Sequence, residues 1–132
     1  MLRKAIILLL SLSSPAAMAA EMTCKKSPAL TGKCSTVKGS LGLTPGIGVT
    51  LVPEEGGRIV IKAPPDSNAD IASDVMQNWL YWQSKTGSMK TRISGTFEIC
   101  PLPPAINSAG IRDFGCINKG TRISQDKSSP GS

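Results

Sequence analysis

"RIVIKAPPDSNADIASDVMQNWLYWQSKTGSMKTRISGTFEIC", residues 58–100, changes its hydrophobic period twice, and that double change decides the fold. It begins with alternation: Ile59, Ile61 and Ala63 fall on one side of an extended chain. After Pro64 and Pro65 the spacing lengthens to Ile71, Val75, Trp79 and Trp82, with Ala72, Met76 and Leu80 alongside. That is the pattern of one amphipathic helix of about four turns. Ser67 is its expected N-cap, Asp70 and Asp74 lie toward its positive end, and Thr86, Gly87 and Ser88 end it. Alternation then returns, with Ile93, Phe97 and Ile99 on one face.

Working outward, the flanking segments are also strands. In "CSTVKGSLGL", 34–43, Val37, Gly39, Leu41 and Leu43 oppose Thr36, Lys38 and Ser40. "IGVTLVP", 47–53, repeats this with Ile47, Val49 and Leu51, and the turn "EEGG", 54–57, joins it to 58–63 as a hairpin. Downstream, "FGCINKGTRI", 114–123, supplies a last strand with Ile117 and Ile123. Gly95 and Gly120 interrupt these strands where a sheet bends sharply into a barrel. Three strands, a helix and two strands is the element order of the OB-fold. The expected fold is therefore mainly β with one helix, a small OB-like five-stranded barrel. An α+β sandwich of the same order is the alternative.

Residues 1–20 read as a secretory signal peptide: Arg3 and Lys4, an apolar run from Ala5 to Leu12, then small residues. The run is shorter than the roughly 18 residues of a membrane-spanning helix, and no second candidate follows it. Residues 21–33 form an N-terminal arm tied down by Cys24, 34–124 a single OB-like domain, and 125–132, "QDKSSPGS", a tail expected to be disordered. The expected location is periplasmic or secreted. Without the leader, thirteen Lys and Arg face nine Asp and Glu, a formal charge of +4 that favours an anionic partner.

Four cysteines in an oxidising compartment imply two disulfides among Cys24, Cys34, Cys100 and Cys116. Metal binding is not expected, because the chain has no histidine and no cysteine pair at the two-to-four residue spacing of metal knuckles. If 94–100 pairs antiparallel with 116–122, Cys100 lies opposite Cys116 on the face away from the apolar residues. A bond there would clasp the hairpin mouth and close a loop of about 15 residues, worth ~3 kcal/mol, leaving Cys24 to Cys34. That local pairing is favoured. The alternative joins Cys34 to Cys100 and Cys24 to Cys116, because in an OB barrel the start of the first strand lies near the end of the fourth.

"CSTVKGSL", "GTFEICPL" and "FGCI" resemble a pattern in small exported bacterial proteins of unassigned function. There, a Cys-x-Thr-Val-x-Gly-x-Leu strand precedes Gly-x-Phe-x-Val/Ile-Cys-Pro and a final Val-Cys-Ile. The likeness covers 34–43 and 93–118, and the Arg-Ile-Trp and glycine-rich segment of that pattern has no counterpart here. It implies no catalytic residue. In element order the chain also resembles periplasmic bacterial OB-fold proteins, which implies binding of small ligands or macromolecules.

Catalytic constellations are not found in the sequence. Without histidine, Ser-His-Asp and Cys-His sites are impossible. Glu54 and Glu55 splay from a turn rather than flank a bond, and the glycines of "GGRIVIK" precede a strand, whereas phosphate loops follow one. No enzyme activity and no cofactor are expected. Trp79 and Trp82 should cap the barrel and Tyr81 point outward, so the strands offer only Phe97 and Phe114 as aromatics. That argues against binding single-stranded nucleic acid. The candidate binding residues are Lys38, Lys62, Arg92, Lys119 and Arg122 on the outer face, with Glu98 paired to Arg92 or Lys119 or left for a ligand. Leu102, Ile106 and Ile111 are the exposed apolar candidates of a rigid loop, 101–111. The expected function is an exported, non-enzymatic binding module for an anionic ligand or envelope protein surface. The alternative is an inhibitor or exclusion-type protein that blocks another envelope protein with that loop.

Overall fold

The computed structural model describes residues 23–107 and 110–127, with 105–107, 110 and 111 described as backbone only. The expected leader, 1–20, and the tail beyond Lys127 lie outside the described residues. The strands are β1 (Ser35–Thr44), β2 (Gly48–Pro53), β3 (Ile59–Ile61), β4 (Ile93–Asn107) and β5 (Gly110–Gln125), and the helix α1 (Ser73–Thr86) lies between β3 and β4. They close into a barrel in the order β1-β2-β3-β5-β4, with β4 returning to β1. All neighbours are antiparallel except β3 and β5, which run parallel. This is the expected OB-like barrel, not the sandwich.

Alternation builds the core. Leu41, Leu51, Ile61, Ile93, Phe97, Ile99 and Ile117 point inward and are buried. The α1 residues Val75 and Trp79 close one end, and the Trp79 indole N–H donates to the Thr91 carbonyl at 2.9 Å. Gly120 permits this closure: a Cβ there would sit 2.8 Å from Val75 Cγ2. Gly95, by contrast, does mark a bulge, since the β4–β5 register slips between Ser94 and Thr96 and Arg122 takes up the extra residue at φ 54°.

The helix N-cap is Ala72, five residues later than the expected Ser67. Ser67 accepts the Ala69 amide in a turn, Ile71 forms a parallel bridge to Ile117, and Ala72 precedes α1 without a side-chain cap. The chain spends 64–72 crossing the barrel end, and Ile71 is buried there as a bridge residue rather than as part of a helix. The C-terminal end is as expected: Gly87 adopts the left-handed conformation and its N–H donates to the Gln83 carbonyl.

The disulfides join Cys34 to Cys100 and Cys24 to Cys116, correcting the favoured local pairing. The antiparallel register itself is as expected, with Cys100 opposite Cys116. Barrel closure supplies the reason. Ser35 pairs with Ile99, so one step further Cys34 meets Cys100 from the other side, their Cα atoms 4.0 Å apart. Cys100 can bond only one neighbour, and Cys116 turns instead to Cys24 in the arm. Thus 23–34 is bolted across the outer face of β4 and β5, and Cys24, Cys100, Leu102 and Cys116 form a second small core beneath Ala29 and Leu30.

Two further expectations change. The described residues of 101–111 are strand rather than loop: β4 runs on to Asn107 and β5 starts at Gly110, with Pro101 opposite Gly115 and Ile106 opposite Ile111. The first residues of the expected tail are ordered, since Gln125 still pairs with Ile93 and the Asp126 amide donates to the Arg92 carbonyl.

Candidate functional site

Side chains that alternate away from the core make the outer face of β1, β4 and β5. Register sets them in rows: Thr36 with Glu98 and Lys119, Lys38 with Thr96 and Thr121, Ser40 with Ser94 and Ser124. The face is therefore polar, hydroxyl-rich and without an aromatic side chain. Lys38, Lys119 and Arg122 are exposed on it. None of the three donates a side-chain hydrogen bond or closes a salt bridge among the described residues. These three of the expected cations are brought together, Arg122 one bulge beyond the Lys38 row.

Glu98 lies at the boundary between this face and the arm. Its partner is neither Arg92 nor Lys119. Asn118 Nδ2 donates to Glu98 Oε1 at 2.7 Å, and Lys25 closes a salt bridge to Oε2 at 3.4 Å. The Lys25 amide in turn donates to Asn118 Oδ1. The Asn118 hydrogen bond, aided by Lys25 and more weakly by Lys119, holds the Glu98 carboxyl below its ordinary range. Glu98 thus fastens the arm, and its negative charge is already compensated.

Arg92 leaves the expected set of binding cations. Its guanidinium is half-buried and reaches across β1: Nε donates to Ser40 Oγ at 2.9 Å, Nη2 to the Ser40 and Thr50 carbonyls at 2.8 and 3.1 Å, and Nη1 to the Leu43 carbonyl. Burial lowers its pKa, Asp126 opposes that and Arg58 adds to it. Gly42 makes room, since a Cβ there would lie 2.5 Å from Arg92 Cγ. Arg92 ties strands together.

Lys62 stands apart from the three-strand face, its ammonium 5.6 Å from the Phe114 ring centroid. Leu102, expected to be exposed, is 5% exposed because the arm covers it. The side chains of Ile106 and Ile111 lie outside the described residues. Alternation in the sequence shows which side of a strand a residue occupies, but nothing in it signals that an arm from elsewhere covers that side.

Two hollows adjoin the face. The end of the barrel opposite α1 is an apolar mouth of about 290 Å³ between Val37, Ile59, Ile99, Pro101 and Phe114, with Asp113 at its rim. A wider cleft of about 520 Å³ runs between the arm at Thr23 and Cys24 and the 67–74 crossing, floored by Ile71 and Ile117. The mouth has no counterpart in the sequence reading, because Val37, Ile59 and Ile99 look like ordinary core positions. Comparison with protein-family models, with curated proteins and with solved structures finds no match to the chain.

Proposed function

We propose that the protein is an exported, non-enzymatic binding module of the bacterial envelope whose outer β1–β4–β5 face recognises an anionic ligand or an acidic protein surface. The observation carrying this reading is the joint placement of Lys38, Lys119 and Arg122 beside a ladder of threonine and serine hydroxyls. Unpaired cations with neighbouring hydroxyl donors suit sulfate, phosphate or carboxylate oxygens. Of the acids at the face, Glu98 is occupied by Lys25 and Asn118, and Asp126 accepts from Ser40 Oγ at 2.6 Å. With no aromatic platform, neutral sugars and bases would gain little by stacking there. The two disulfides are compatible with an oxidising compartment, which supports the export part of this reading.

Lys38→Glu with Lys119→Glu tests it. Binding of the mature protein to dextran sulfate, with neutral dextran as control, should weaken with rising salt, and the double reversal should lower affinity roughly tenfold at low salt. Equal affinity of variant and wild type would remove the face from the reading.

A further inference from the structure

We infer that the four cysteines form a thiol–disulfide exchange site, through which an external thiol entering at Cys34 moves the protein to a second connectivity and unbolts the N-terminal arm. The inference rests on the cysteine geometry alone and stands apart from the proposed function.

Cys34 is half-buried, whereas Cys24, Cys100 and Cys116 are at most 2% exposed, so an attacking thiol can reach only Cys34. Behind it the sulfurs crowd together: the Sγ atoms of Cys24, Cys100 and Cys116 all lie within 4.8 Å of one another. Cys100 and Cys116 are also direct cross-strand partners, the spacing at which antiparallel neighbours accept a disulfide. Cys100 therefore has two possible partners, one on each adjoining strand.

The steps balance without net oxidation. An external thiolate, of the glutathione class, attacks Cys34 Sγ and forms a mixed disulfide, and the electron pair of the broken bond passes to Cys100. The Cys100 thiolate attacks Cys116 Sγ, forming Cys100–Cys116 and releasing Cys24 as thiolate. Cys24, ten residues before Cys34 on the same arm, then attacks the Cys34 sulfur and expels the external thiolate unchanged. Once the transient mixed disulfide cancels, two bonds have broken and two have formed. In the product no covalent bond joins the arm to β4 or β5, so Leu102 and Phe114, which the arm now packs against, can be uncovered.

Trypsin separates all four cysteines, because cleavage after Lys25, Lys33, Lys38, Arg92, Arg112 and Lys119 leaves one on each peptide. In Cys34→Ser, alkylated in acid before non-reducing digestion, the inference expects a Cys100–Cys116 peptide as the major species and Cys24 as the free thiol. An intact Cys24–Cys116 bond with Cys100 free would overturn it. Should the variant not fold, the wild type decides: incubation with a trace of reduced glutathione should build up Cys100–Cys116 and Cys24–Cys34 peptides, faster as pH rises and more thiolate forms. A wild-type map unchanged by the thiol, or one that passes straight to free thiols, would equally overturn it.

Discussion

Arg92 sends its guanidinium over Gly42 to the carbonyls of Ser40, Leu43 and Thr50, so removing it leaves the part-buried Ser40 and Thr50 acceptors without that donor rather than deleting a free surface charge. Arg92→Met should cost about 2–4 kcal/mol of stability in urea unfolding, whereas Lys38→Glu should stay within about 0.5 kcal/mol of wild type. The two cations look alike in the sequence, since both sit on the polar side of a strand, and only the packing of β4 against β1 distinguishes them. Gly42→Ala should cost about 1–3 kcal/mol, and most of that should vanish in an Arg92→Ala background, because the three atoms nearest the added methyl all belong to the arginine and the two tightest lie beyond its Cβ. Glu98 has a different signature. Its carboxyl is held low in the folded state, so its stabilisation is full above the ordinary glutamate range and is lost as pH falls through the folded value. Glu98→Gln should therefore lower stability near neutrality and flatten the acid limb of the stability–pH curve. A parallel, undiminished acid limb in the variant would show that another carboxylate governs it.

Among the elements, the N-terminal arm is the one whose role was least legible. Residues 23–34 have no period, and the buried contacts of Ala29 and Leu30 with the cysteine cluster depend on a strand nearly seventy residues away. The strands were readable because alternation is a local signal, and the end of α1 because Gly87 supplies the left-handed cap. The start of α1 was not, since Ile71 fits both a helical face and the bridge to Ile117, and tertiary pairing chose the bridge. The arm's hold is testable. Cys24→Ser with Cys116→Ser should destabilise the domain by about 2–5 kcal/mol, because the denatured chain regains the freedom of a long closed loop. The variant should also show faster amide exchange in β4 and β5 around Cys100 and Cys116. Unchanged exchange there would mean that the arm contributes nothing to that face beyond its covalent bond.

At the scale of the molecule, the order of elements pointed to the barrel but left a sandwich of the same order open, and the pairing of β4 with β1 and of β3 in parallel with β5 is what closes it. The division of the surface was not legible. Closure places Cys34 beside Cys100, the arm then follows its disulfides across β4 and β5, and the part of the outer face around Cys100, Leu102 and Cys116 becomes interior. What remains open is the strip with Lys38, Lys119 and Arg122, the proposed recognition surface. Hydrogen–deuterium exchange of the mature protein with and without a sulfated oligosaccharide tests that assignment most directly. Protection is predicted in 36–40, 94–98 and 119–124, with no change in 101–107 or around the mouth at Ile59 and Asp113. Protection confined to 101–107 and the mouth, with the three-strand strip unaffected, would contradict it.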